Sequence, residues 1–308
     1  MAVILPQDSL SHAVYFAPRG RNRLISLGYQ LSQRYLSPLD KLIGFIGDAG
    51  AGKSLLIKGM FPGLELTSDD NGVNVRPLPL LNSLDRGFFR SYTYHVDIRF
   101  ESAFTQMHEL ADAIKQAIAQ DKRVVIEHFD LIYPFLGMNA EVLIGIGEEV
   151  IVTRPNIYGP QPKDVVDIVF KSICYRKMAH TAEDLTCKIL ESEYGFTHPQ
   201  IHGDVKHGFV LEFVEKPNVD IAELEAKVTK YIDDGLDISF IDENYIQLGE
   251  GEPYHCTGAR SHVRNASEIE NFRLIKEYYY DPIAKVYALV GLVGKNKVID
   301  INDLNNLS

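Results

Sequence analysis

The sequence predicts an α/β domain with a parallel sheet, followed by an α+β domain whose sheet is mostly antiparallel. Three observations predict this. In the first half, apolar or β-branched runs alternate with helical patterns, the order that builds a parallel sheet. In the same half an unbroken glycine-rich loop, "GDAGAGKS", joins an apolar run to a short helical one. After the Pro/Gly-rich "NIYGPQPKD" the pattern changes to one long helical stretch and then strands around a single helix. On this reading residues 1–40 are a helical lead-in, 41–164 the first domain and 165–308 the second.

The elements follow in order. "RNRLISLGYQLSQRYL" carries apolar residues at helical spacing and stops at Pro38. "KLIGFIG" reads as a strand, and "KSLLIKGMF" as a helix ended by Pro62-Gly63. "SYTYHVDIRF" reads as a strand, and "AFTQMHELADAIKQAIAQ" as an amphipathic helix. "RVVIEHF", "AEVLIGI" and "EVIVTR" read as further strands. In the second half the long helix is "DVVDIVFKSICYRKMAHTAEDLTCKILESEYG". "HGFVLEFVE", "DISFIDE" and "AKVYALVGLVG" are strands, and "DIAELEAKVTKYIDDG" is a helix opened by an aspartate cap. There is no internal repeat.

Composition narrows the function classes. The formal net charge is −11, with 45% hydrophobic and 24% charged residues, the mix of a globular protein. The acidic excess lies mostly in the second half, so no broad nucleic-acid-binding surface is expected. No apolar run approaches the ~20 residues of a membrane span, and the start does not read as a signal peptide. Three cysteines in 308 residues argue for a reducing compartment and a cytoplasmic location rather than a disulfide framework.

"GDAGAGKS", Gly47 to Ser54, fits G-x-x-x-x-G-K-[ST] between a strand and a helix. Gly47, Gly50 and Gly52 let backbone N–H groups turn inward around phosphates, and the helix N-terminus adds a favourable dipole. Lys53 would reach the β/γ phosphates and the Ser54 hydroxyl a Mg²⁺ position. The expected cofactor is ATP or GTP with Mg²⁺, on an α/β P-loop NTPase domain.

The rest of this domain resembles the uridine kinase and phosphoribulokinase branch of P-loop proteins. "LELTSDD" is similar to the family's strand ending in a carboxylate near the acceptor hydroxyl, which puts Asp69 and Asp70 there. "KRVVIEHFDLIYPFLGMNAEVLIGI" is similar to its strand ending in glutamate, which falls on Glu127. The resemblance implies catalytic roles for these three; "SDDNG" is also good turn chemistry. The family's arginine-rich lid has no counterpart, because "GEEVIVTRPNIYG" carries one arginine, Arg154.

In the second half "MAHTAEDLTCKIL" resembles the "HTATHLL" motif of the editing domain of alanyl- and threonyl-tRNA synthetases and of free-standing alanyl-tRNA editing proteins. "YHCTGARSHVRNASEI" resembles that domain's second motif, with His262, Val263, Asn265, Glu268 and Ile269 on the pattern. In that family two histidines four apart and a Cys-x₃-His turn hold zinc. Here His180 keeps the first position, Asp184 takes the second and His262 the fourth. Gly258 stands where the cysteine belongs, and Cys256 lies two residues earlier. Three readings stay open: zinc on His180, Asp184, Cys256 and His262; a metal-free pocket for an aminoacyl or amino-acid group; or a vestige. The resemblance implies aminoacyl-tRNA or a free amino acid as partner and hydrolysis of an aminoacyl ester. Arg260 and Arg264, the basic residues near the motif, read either as local phosphate contacts or as part of a solvated loop. His198, His202 and His207 read as a solvated turn.

Overall fold

"LIGFIG" shows no alternation because both its faces are covered. β2 (Leu42–Gly47) is buried at every position, as in a strand flanked by helices on both sides of a sheet. The computed structural model describes residue 10 and residues 12–67, 76–196 and 202–294, and forms two compact units, residues 1–174 and 175–308.

In the first unit β2 lies between two parallel neighbours, β4 (Arg123–Glu127) and β5 (Val142–Ile146), and β3 (Thr93–Asp97) extends the parallel set beyond β4. β6 (Glu149–Thr153) turns back antiparallel on β5, and β1 (His12–Phe16) pairs antiparallel with β6. The order is β1-β6-β5-β2-β4-β3. The sheet is therefore mixed and mostly parallel, where a parallel sheet was expected. Only Gly147 and Glu148 separate β5 from β6, and a parallel return needs a far longer crossover.

The lead-in is also revised. The helix is present, as α1 (Arg21–Tyr35), but residues 12–16 are a sheet strand, and both lie in the first unit. α1 packs on α2 (Lys53–Met60) backbone to backbone. A Cβ on Gly59 would sit 2.1 Å from the Ile25 carbonyl oxygen, so glycine is what permits the approach. These helices close one face of the sheet, Leu31, Leu56 and Ile57 packing with Ile43 and Phe45. The other face is covered by α3 (Pro79–Asp85), the short α4 (Ile98–Glu101), α5 (Met107–Ala119) and α6 (Phe129–Leu136), through Leu80, Ile98, Leu110 and Phe129. Burying each such side chain contributes about 1.5–3 kcal/mol.

α7 (Pro162–Tyr194) gives its first turns to the first unit, where Val165 and Val169 are core residues, and its later turns to the second. The unit boundary thus falls within a helix, later than residue 164. "NIYGPQPKD" marks the entry to that helix rather than a break between cores.

The second unit has the expected antiparallel sheet. β7 (His202–Val205), β8 (Gly208–Phe213), β14 (Val286–Leu292) and β12 (Arg273–Leu274) lie in that order, with β13 (Tyr279–Asp281) also on β14. A separate sheet joins β9 (Ile238–Phe240), β10 (Tyr245–Leu248) and β11 (Tyr254–His255). α8 (Ile221–Asp233) starts at the Asp220 cap, whose carboxylate accepts from the N–H groups of Ala222 and Glu223. Leu185, Leu190, Phe209, Leu224, Ile246 and Leu289 are the centre of its core. Among the described residues no helix is long and apolar enough to cross a membrane.

Candidate functional sites

The glycine-rich loop leaves the C-terminal end of β2 and enters α2 at Lys53. Gly50 and Gly52 have φ of 75° and 99°, in the left-handed region that glycine occupies without strain. The Lys53 ammonium is 4% exposed and donates to two carbonyls of its own loop, Gly47 at 3.2 Å and Asp48 at 2.9 Å. The loop opens onto a cleft of about 300 Å³, lined also by Ser54, Asp97, Arg99, Glu127 and His128.

Glu127 ends β4 within this cleft and is 2% exposed. Its Oε1 lies 3.2 Å from His95 Nε2 and its Oε2 3.9 Å from Lys53 Nζ. The Thr67 backbone N–H donates to His95 Nδ1 at 3.1 Å, so that nitrogen carries a lone pair and Nε2 carries the hydrogen given to Glu127. Burial alone would raise the Glu127 carboxyl. The His95 hydrogen bond, the Lys53 charge and the Ser54 hydroxyl outweigh it and hold the group below its ordinary range.

Asp69 and Asp70 lie outside the described residues, and Leu64–Thr67, read as the start of their strand, forms none. The second strand-end carboxylate in the cleft is Asp97, which the sequence reading passed over. It pairs in register with Glu127 at the ends of β3 and β4, and its carboxylate accepts from the Phe100 N–H as the cap of α4. Burial, then the Glu127 charge, push its carboxyl up. "SYTYHVDIRF" looked like one continuous strand; the signal missed was an aspartate cap inside it.

His128 was also passed over. It follows Glu127 directly, caps α6 and adopts φ 58° and ψ 48°, an uncommon conformation for a residue other than glycine. It is 8% exposed, and burial, then Lys53, push its imidazole down to about 4. Arg154 belongs to neither loop nor cleft. It donates two 2.8 Å bonds to Asp40 and a third to the Tyr35 carbonyl, a mostly buried clamp within the first unit.

The second cluster sits where α7 meets the loop after β11. His180 and Asp184 share one face of α7, and Cys256 and His262 come from the loop. Their ligand atoms all lie within 4.8 Å of one another. Cys256 Sγ is 3.4 Å from His180 Nε2 and 3.8 Å from His262 Nε2. Asp184 Oδ2 is 2.9 Å from His262 Nε2 and 4.0 Å from His180 Nε2. Bonds of ~2.0–2.3 Å in a tetrahedron put ligands about 3.3–3.8 Å apart, close to the range seen here. The two rings stack at 4.1 Å between centroids.

The outer contacts aim these groups inward. His262 Nδ1 lies 3.2 Å from the Ala259 carbonyl oxygen, and His180 Nδ1 lies 3.2 Å from that of Ser261. A carbonyl only accepts, so both Nδ1 atoms carry hydrogen, which turns both Nε2 atoms toward the thiol and the carboxylate. Asp184 Oδ2 also only accepts, so in the absence of an ion His262 Nε2 donates to it at 2.9 Å; a cation would take the place of that hydrogen. Cys256 accepts from the Gly258 N–H at 3.4 Å. Burial, then Asp184, push its thiol above its usual range; a cation among the four groups acts in the opposite sense. The cluster could hold a metal ion such as zinc, and a thiolate and a carboxylate would balance a divalent charge.

The two-residue displacement of Cys256 is absorbed locally. Cys256 N–H bonds the Asn244 carbonyl, and the chain then turns through Gly258, whose carbonyl accepts from Ser261 N–H and Oγ. Val263, Asn265, Glu268 and Ile269 are not ligands. Val263 N–H donates to Thr181 Oγ1, locking the loop to α7. Asn265 and Glu268 form a reciprocal cap on a 3₁₀ turn, and Val263 and Ile269 are core. A cleft of about 610 Å³ adjoins His262, with Lys177, Phe240, Arg260 and Arg264 on its walls. The Arg260 guanidinium lies 4.6 Å over the Phe240 ring. His198 lies outside the described residues; His202 opens β7, and His207, half-buried in the turn between β7 and β8, has its ring 4.0 Å from that of Tyr175 at a tilt of 45°.

No protein-family model matches the chain, and no curated protein matches it either.

Proposed function

We propose that the chain is a nucleoside-triphosphate-binding protein of P-loop type whose second unit carries a zinc centre beside a site for an aminoacyl-type ligand. The observation that carries the first part is the loop Gly47–Ser54 at the C-terminal end of a central parallel strand, opening onto a cleft with Lys53, Glu127 and Asp97. Ligands of open α/β sheets bind at this end of the strands. Lys53 would exchange its two loop carbonyls for phosphate oxygens, Ser54 would face Mg²⁺, and Glu127, held by His95, would set the polarity behind them.

In the second unit His180, Asp184, Cys256 and His262 would hold zinc, which supplies positive charge next to the bound ligand. Lys177, Arg260 and Arg264 give the adjoining cleft the cations to receive phosphate or carboxylate groups despite the acidic surroundings. An aminoacyl ester at an RNA 3′ end, or a free amino acid, has this chemistry.

Titration of Mg·ATP and Mg·GTP by calorimetry tests the nucleotide reading: one saturable site is expected, and no heat at millimolar nucleotide refutes it. Release of amino acid from charged tRNA, independent of nucleotide, tests the second. A second reading, a small-molecule kinase, is favoured by Asp97 at the strand end. It predicts ADP release that depends on an added acceptor alcohol. Arg154, the one arginine in the lid segment, is bound to Asp40 and supplies no lid charge.

A further inference from the structure

Resting on the nucleotide reading of the first unit, we propose that this cleft hydrolyses nucleoside triphosphates and that the His128 ring holds the attacking water against the terminal phosphate.

His128 is more than nine-tenths buried and lines the cleft with Lys53, Ser54 and Glu127. Among the described residues no side-chain hydrogen bond reaches either ring nitrogen. His95, a side-chain contact of Glu127, shows the usual state, with its two nitrogens bonded to Thr67 and Glu127. An uncommon backbone conformation is kept at the His128 position as well.

The kind of partner follows from the ring's two nitrogens. Burial and Lys53 keep the imidazole neutral, so it has one N–H donor and one lone pair. Phosphate oxygens satisfy the donor but not the lone pair. A water satisfies either, and a water giving its hydrogen to the ring turns its own lone pair outward toward phosphorus. A cleft of about 300 Å³ is at the small end for ligand sites. A triphosphate tail and a water fit a volume of this size.

In the step, the water oxygen forms a bond to the terminal phosphorus and the bond from that phosphorus to the bridging oxygen breaks. The diphosphate leaves with the electron pair, and the water's proton ends on the inorganic phosphate or in solvent. His128 orients the water and Arg99, exposed at the cleft wall, adds positive charge. No oxidant or further reactant is needed.

The test compares wild type, His128→Gly and His128→Asn. Glycine and asparagine both tolerate the left-handed backbone, and asparagine keeps a polar side chain. The probes are Mg·ATP and Mg·GTP with no acceptor present; phosphate release is measured with purified full chain, and affinity by calorimetry. We expect slow turnover in wild type, a loss of fiftyfold or more in kcat for His128→Gly with KM and nucleotide affinity within threefold, and partial recovery in His128→Asn. Binding without turnover in wild type overturns the hydrolysis and leaves nucleotide binding standing. Equal kcat in wild type and His128→Gly overturns the role of the ring. A loss in affinity alone, with kcat unchanged, also overturns it. If His128→Gly does not fold, His128→Asn and His128→Phe decide: Phe fills the space without a polar atom and must lose turnover.

Discussion

Replacing Lys53 by alanine should weaken nucleotide binding about ten- to hundredfold. The side chain is 4% exposed, with its ammonium within 3.2 Å of two loop carbonyls and 3.9 Å from Glu127. When phosphate enters, those contacts pass to charged oxygens, and a hydrogen bond to a charged group contributes about 1.5–3 kcal/mol. At 1.4 kcal/mol per decade this gives the stated range. The variant has a second effect that must be separated from the first. Without Lys53 the buried Glu127 keeps His95 and Ser54 but loses its nearby cation, so stability falls too. Lys53→Met removes the same charge but retains the packing of the stem, so a stability loss shared by both variants reports the cation and a difference between them reports the packing. Calorimetry with Mg·ATP and Mg·GTP on both variants, after circular dichroism has shown them folded, reads the affinity. Equal dissociation constants for wild type and the two variants would refute the reasoning, because they would show that the loop does not bind phosphate through its lysine.

The remaining predictions concern both units. Zinc at a thousandfold excess over its dissociation constant should stabilise the chain by about 4 kcal/mol. At 2–4 °C per kcal/mol that is a rise of about 8–16 °C in Tm, lost with a chelator and in Cys256→Ser; a Tm unmoved by zinc and chelator counts against the cluster as a metal site. Between pH 6.5 and about 4, stability should fall as pH drops. His128 has its folded pKa depressed from 6.5 to about 4, so the unfolded chain binds the extra proton in that window. The His128 share is about 3 kcal/mol at 1.36 per unit, and denaturant melts at pH 7, 5 and 4 should show a smaller fall for His128→Asn than for wild type. Gly59→Ala should destabilise by about 1–3 kcal/mol, because its methyl meets the Ile25 carbonyl oxygen at 2.1 Å; an unchanged denaturation midpoint would show that α1 and α2 part easily.

Much of the fold was legible because its signals are local. "LIGFIG" is short, apolar and followed by glycine and lysine, and it became β2 and the phosphate loop. Asp220 announced α8 by capping it. What failed depends on partners far along the chain. β1 is a five-residue strand whose ladder partner, β6, lies beyond residue 148, and nothing in "HAVYF" specifies that pairing. The antiparallel turn of β6 follows from a two-residue connection and could have been read from it. In the cleft, Glu127 was legible at a strand end, whereas Asp97 was hidden because it ends a strand and caps a helix at once. His128 showed nothing in sequence beyond its place after Glu127. In the second unit the pairing of His180 with Asp184 follows from helical spacing. That Cys256 reaches them from two residues early depends on the turn through Gly258 and Ser261, which only three dimensions show.

The claim that joins sequence and structure most closely is that four residues, one of them displaced from its expected place, converge on one metal ion. X-ray data collected on either side of the zinc absorption edge, from crystals of the full chain grown with zinc, test it directly. A single strong anomalous peak is expected ~2.0–2.3 Å from His180 Nε2, His262 Nε2, Cys256 Sγ and an Asp184 carboxylate oxygen. A map with no peak among these four atoms, or one in which Cys256 is turned away while the other three bind, would contradict it.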